Sequence, residues 1–198
     1  MKTYDDVIGF HGHSCPGLAL GYRVSLRALK ELAAARSEDE EIVAVVENNS
    51  CAVDAVQVMT GCTFGKGNLI FRDFGKQVYT FIRRPSGISL RISVDWKKQK
   101  ETKAEKALWS KFIDGDRSRK VVKFVHDRKA AKLKYILEAS EKELMTVKRG
   151  KVSPPPEAEI FESLTCEECG EKVAEPKVRI KKNRKLCIPC FDKPRQAR

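Results

Sequence analysis

Apolar residues at Leu18, Tyr22, Leu26, Leu29 and Leu32/Ala33 recur at helical spacing between Pro16 and Arg36. Proline suits the first turn of such a helix, where its missing N–H has no partner in any case. The run "EEIVAVVEN" (40–48) is short, apolar and β-branched, which predicts a buried strand. "SCAVDAVQVMTG" (50–61) opens with Ser50 as an N-cap candidate and closes with Gly61 as a C-cap, which predicts a second helix. "NLIFRDFG", "QVYTFIRR" and "ISLRISV" then read as three strands separated by Gly or Pro turns. The predicted order is α-β-α-β-β-β, a two-layer α+β core.

The pattern changes beyond residue 96. "ETKAEKALWSKFI" places apolar residues at 104, 107/108 and 112, and "KVVKFVHDRKAAKLKYILEAS" places them at 121, 124/125, 133 and 136/137. Both are amphipathic helices with lysine-rich polar faces. "KVSPPPEAEIF" follows, and three consecutive prolines end any helix and favour an extended, semi-rigid linker. The expected division is therefore a core with helical extension over 1–150, a linker over 151–164 and a small module over 165–198.

Composition adds limits. A chain of 198 residues with 41% hydrophobic and 33% charged residues can bury a core. No apolar run approaches the ~20 residues of a membrane span, and "MKTYDD" lacks the apolar region of an export signal, so a cytoplasmic protein is expected. The net charge of +12 is uneven. Residues 1–96 carry 11 basic and 11 acidic side chains, 97–150 carry 17 and 8, and 151–198 carry 11 and 8.

The seven cysteines are an odd number and four of them form CxxC pairs, which argues for metal-binding thiols rather than a disulfide framework. Cys166, Cys169, Cys187 and Cys190 form a CxxC-x17-CxxC pattern. Zinc takes four thiolates tetrahedrally, so this is a closed, structural site in a ribbon or treble-clef module. A module of ~35 residues has too small a core to fold unaided, and the metal supplies its stability. The intervening "RIKKNRK" is basic, but Phe161 and Phe191 are the only aromatics of the tail. Base-stacking platforms are scarce, which disfavours nucleic acid as a partner.

A second constellation lies at "FHGHSCPG" (10–17). If the stretch is extended, His11, His13 and Cys15 share one face. Cys15 precedes the first helix and Cys51 heads the second, so both thiols are expected at helix N-termini, where the thiolate is favoured. Asp54, one turn after Cys51, is a candidate outer-shell group or general base. Cys62 lies eleven residues after Cys51, about 16 Å along a continuous helix, so one metal cannot take both. Either Cys62 lies elsewhere, or it serves a partner's site, or the chain doubles back after Gly61. Mixed imidazole and thiolate ligands suit zinc, iron, nickel or copper better than magnesium or calcium.

"FHGHSCPGLALGYR", "CAVDAVQVMTGCTFGKGNL" and two terminal CxxC knuckles together resemble the FmdE-like family of formylmethanofuran dehydrogenase proteins. The resemblance implies an α+β core of the order read above, a homodimer and a C-terminal zinc finger. It also implies a metal-binding cleft lined by His11, His13, Cys15 and Cys51, with Asp54 and Cys62 nearby. The catalytic candidates are Cys15, Cys51 and Asp54. The expected cofactors are structural zinc and a second transition metal in the cleft (zinc, iron or nickel). The namesake enzyme interconverts carbon dioxide plus methanofuran with formylmethanofuran, using molybdenum or tungsten and iron–sulfur subunits. This chain has no iron–sulfur run, so the resemblance implies an accessory component of an oxidoreductase complex. The single sheet with two covering helices also favours a homodimer, and the proline linker would let the tail swap to the other copy. Two other function classes fit fewer residues: a nucleic-acid-binding zinc-finger regulator, and a thiol redox protein using Cys15, Cys51 and Cys62.

Overall fold

The computed structural model describes residues 2–95 and 101–193, which form two compact units, Met1–Glu157 and Ala158–Arg198. The first opens with a helix absent from the sequence reading, α1 (Tyr4–His11). Thr3 and Asp6 close a reciprocal capping box at its start, and Gly12 ends it at φ 91°, a left-handed conformation that glycine adopts at little cost. Helix α2 (Pro16–Glu31) stops five residues earlier than its periodicity predicts. Ala33 turns left-handed at φ 45°, and the Ala34 N–H bonds back to the Leu29 carbonyl, which closes the helix end.

Strand β1 (Ile42–Val46) leads into α3 (Ala52–Thr60) and then into β2 (Leu69–Phe71), which lies parallel to β1. This crossover sets the N-terminus of α3 at the carboxyl end of β1. Strands β3 (Val78–Arg83) and β4 (Ile88–Val94) follow antiparallel. The pairs Ala44–Phe81, Val46–Tyr79, Phe81–Leu90 and Tyr79–Ile92 put these apolar side chains on one face. They are buried there with Leu20, Val24 and Ala28 of α2 and Val56 of α3. This is the two-layer α+β core expected.

Helices α4 (Lys103–Ile113) and α5 (Arg119–Glu138) occupy the basic segment. α4 has no buried residue, whereas α5 buries Val121, Val125 and Ile136. Arg23 of α2 donates to the Ile136, Leu137 and Ala139 carbonyls, capping the end of α5. The segment is not all helical. After the short α6 (Glu141–Leu144), β5 (Met145–Lys151) adds to β4, and the sheet order becomes β2-β1-β3-β4-β5. The Val152 N–H bonds to the Gly87 carbonyl, and Arg84 donates to the Pro155 and Pro156 carbonyls at 2.7 and 2.8 Å. The triproline is thereby held against the turn between β3 and β4.

The second unit contains two small antiparallel hairpins and a helix. Strand β6 (Ser163–Thr165) pairs with β7 (Lys172–Ala174), and β8 (Arg179–Lys181) pairs with β9 (Arg184–Leu186). Helix α7 (Ile188–Asp192) begins directly after Cys187. Among the described residues of the whole chain, no helix is long and apolar enough to cross a membrane.

Candidate metal centre

The tail cysteines converge. The sulfurs of Cys166, Cys169, Cys187 and Cys190 all lie within 4.8 Å of one another, and all but Cys169 are buried. The first CxxC follows β6 and the second straddles the start of α7, so each hairpin delivers one pair. The amides of Cys169 and Cys187 donate to Cys166 and pull its thiol down to about 6. Cys190 is pushed up to about 12, chiefly by its hydrogen bond with Cys187. Four crowded sulfurs cannot all ionise without a cation between them, and a divalent metal that prefers thiolates meets that need.

The cleft group is built differently from its prediction. His11, His13 and Cys15 do not alternate along an extended strand. His11 is the last residue of α1, Gly12 reverses the chain, and Cys15 is the N-cap of α2. The turn nonetheless gathers the three ligand atoms within 4.8 Å of one another. The imidazole rings of His11 and His13 lie 4.6 Å apart between centroids. The Leu18 N–H donates to Cys15 Sγ at 3.4 Å, so the sulfur caps its own helix. The Tyr4 hydroxyl bonds Ser14 Oγ at 2.9 Å and tethers the loop to α1.

His11 Nδ1 donates to Asp54 Oδ2 at 2.7 Å, and His11 Nε2 faces Cys15 Sγ at 3.9 Å. A carboxylate on Nδ1 fixes the tautomer that leaves the Nε2 lone pair for a metal. Imidazole, imidazole and thiolate gathered in this way fit a transition metal by the chemistry of the donor set.

The family described as FmdE, molybdenum formylmethanofuran dehydrogenase operon, matches residues 10–146. The chain belongs to the FmdE family. A second family, the prokaryotic dksA/traR C4-type zinc finger, matches residues 159–196. A probable S-adenosyl-L-methionine-binding protein of Archaeoglobus fulgidus is 35% identical over 191 residues, covering 91% of this chain. The chain spans about half the length of that relative, 50%. The crystal structure of a tungsten formylmethanofuran dehydrogenase FmdE-like protein from Syntrophus aciditrophicus superposes with a TM-score of 0.62. At 23% identity, over 95% of this chain and 89% of the other, that likeness shows the FmdE-like fold.

Cys51 and Cys62 depart from expectation within this FmdE unit. Cys51, not Ser50, is the N-cap of α3; Ser50 instead donates from its backbone N–H and its hydroxyl to Asn48 Oδ1. The Cys51 thiol lies part-buried at the start of α3, and its position there brings no net lowering of its pKa. Its pKa is raised, first by burial, then by the neighbouring Cys15 thiol and last by the charge of Asp54, against a backbone hydrogen bond that lowers it. Cys62 does not join the group. It is 0% exposed in the main core, donates to the Ile42 carbonyl at 3.2 Å, and is pushed up to about 11 by burial. The chain does turn at Gly61, but it carries the thiol under the sheet rather than back toward Cys51.

Two residues not singled out from the sequence let α2 approach the start of α3 closely. A Cβ added to Gly21 would stand 2.1 Å from the Ala52 carbonyl oxygen, and one on Gly17 would stand 3.2 Å from Cys51 Cβ. Both face the start of α3, so their small size sets the close approach. The G-x-x-x-G spacing of 17 and 21 was the available signal.

Proposed function

We propose that the FmdE unit holds a transition metal in the cleft formed by His11, His13 and Cys15. The observation that carries this reading is the convergence of their ligand atoms with Asp54 bonded behind His11. The metal would be zinc, iron or nickel, with the identity set by availability as much as by affinity. Three protein ligands leave a position open, so the bound metal would supply Lewis acidity toward a carbonyl or activate a water. Asp54 holds the proton on His11 Nδ1, and Cys15 is kept in place by the Leu18 amide. Cys51, at the start of α3, is a reserve donor. The four tail cysteines hold a structural zinc with no open position.

The family description supports an accessory role in one-carbon metabolism, beside an oxidoreductase that carries its own molybdenum or tungsten chemistry. The protein works in this reading as a cytoplasmic homodimer, because a single sheet with few helices to cover it favours a second copy. Light scattering at micromolar concentration tests the dimer, and a monomer overturns it.

The metal reading is tested by mild chelation of untagged protein. The cleft ion should leave while the tail zinc and the fold remain, because incomplete protein coordination makes the first site labile. Cys15→Ala should lose the cleft equivalent alone. A Cys15→Ala protein with unchanged metal content contradicts the reading.

A further inference from the structure

We propose that the outward face of α4 binds the phosphate backbone of double-stranded DNA without reading its sequence. None of its residues belongs to either metal-binding group, so the inference does not depend on the metal reading. Helix α4 buries no residue, and the core does not require it. Its own Thr102–Glu105 capping box and an inward side packed on α5 keep it in place. On that side Trp109 and Phe112 stack at 5.8 Å between centroids. Arg128 lies 4.6 Å from the Trp109 ring and Arg117 lies 4.1 Å from the Phe112 ring. The other side exposes Lys103, Lys106 and Lys111 around Ala104, Ala107 and Ser110. Glu105 is the only carboxylate of the helix, and it accepts the Thr102 N–H at 2.8 Å. Lys103 and Lys106 make no ion pair among the described residues, and Lys111 only feels the charge of Asp116. Asp116 lies beyond the helix and is bound by the Ser118 N–H at 2.7 Å.

Unpaired cations call for a polyanion. Lys103 and Lys111 are separated by about 12 Å along the helix at ~1.5 Å per residue. A DNA duplex offers one negative charge per ~1.7 Å of its axis, with counterions to release. The alanines and the serine between the lysines let the helix come close to such a surface. A protein partner would be held by aromatic or arginine anchors at the centre of the patch, and here the rings are turned inward. Single strands need exposed rings on which bases stack, and the same packing removes them. An anionic membrane would need a broad apolar face, whereas this one carries only Ile113 at its end. What remains is phosphate contact, which lysine makes as a point charge with no sequence preference. An α-helix, ~10–12 Å across, also fits a major groove ~12 Å wide. Beyond the loop, exposed Arg119 and Lys120 at the start of α5 extend the cationic surface.

The test is fluorescence anisotropy of a labelled random-sequence duplex with full-length, zinc-loaded protein, at salt from about 50 to about 200 mM. The expected result is binding whose log affinity falls linearly with log salt. Lys103→Gln, Lys106→Gln and Lys111→Gln should each lower the slope by about 0.9, and together by about 2–3. Glutamine has nearly the helix propensity of lysine, so far-UV circular dichroism should not change. Lys182→Gln with Lys185→Gln, two exposed lysines of the tail, should leave the slope as it was. Wild type that fails to bind at the lowest salt overturns the proposal, as does an α4 triple variant with the wild-type slope. A loss confined to the tail variant overturns it by assigning the contact to the zinc module. Equal affinity for the single strand overturns the duplex assignment, and binding to phosphatidylserine vesicles without binding to duplex makes the face a membrane contact instead.

Discussion

At the scale of single residues, chemistry was legible where the residue type is rare and its spacing is local. Asp54 was legible only as a neighbour of Cys51, because its partner His11 is 43 residues away in sequence. Its position one turn after Cys51 made it an outer-shell candidate, and it lies 2.7 Å from His11 Nδ1. Asp54→Ala should weaken cleft metal binding by about 10–100-fold, as loss of such a partner does elsewhere. Competition with a chelating dye measures this, and an unchanged affinity would show that His11 needs no orienting carboxylate. Cys62 marks the limit of sequence reasoning. A thiol in "GCTFG" looks the same whether it faces a metal or a core, because burial is decided by the chain's path after Gly61. Cys62→Ala should cost about 1 kcal/mol in denaturant stability and leave the cleft metal in place. Loss of that metal would restore Cys62 to the site.

At the scale of elements, the long periodic helices and the β-branched strands were readable, and short or non-local elements were not. α1 spans two turns, too little for its period to show, yet its position decides where His11 points. β5 was hidden because "MTVKRGK" gains its strand character from pairing with β4, 51 to 63 residues away in register, rather than from an apolar pattern of its own. The Thr3–Asp6 capping box anchors α1. The Thr3 amide, with Lys2, holds the Asp6 carboxyl at about 2 against an ordinary 3.8. A carboxyl depressed in the folded state stabilises above its unfolded pKa and loses that contribution as pH falls through the folded one. The stability difference between wild type and Asp6→Asn should thus be full above pH 3.8 and fade toward pH 2. A difference that is constant across that window would contradict the capping role. The approach of α2 to α3 makes a second prediction. Gly21→Ala should cost about 1–3 kcal/mol, since the new methyl meets a backbone carbonyl rather than a movable side chain. An unchanged denaturation midpoint would mean that α3 yields freely.

At the scale of the molecule, the chain joins two ways of gathering thiols. In the tail, two CxxC turns announce the site in sequence, and the four sulfurs converge because each hairpin brings a pair. In the FmdE unit, the group is assembled from a helix end, a glycine reversal and a helix start, and only its local part, His11 to Cys15, is written in one stretch. The contribution of Asp54 and the placement of Cys51 depend on the packing of α3 against α1 and α2. The central claim is that these arrangements make two different metal sites, one closed and one open. Anomalous scattering from crystals of untagged protein, collected on both sides of the zinc, iron and nickel edges, tests it most directly. The account predicts a zinc peak amid Cys166, Cys169, Cys187 and Cys190, and a second peak within bonding distance of Cys15 and of His11 Nε2. A tail peak alone, in crystals grown with those metals supplied, would contradict it.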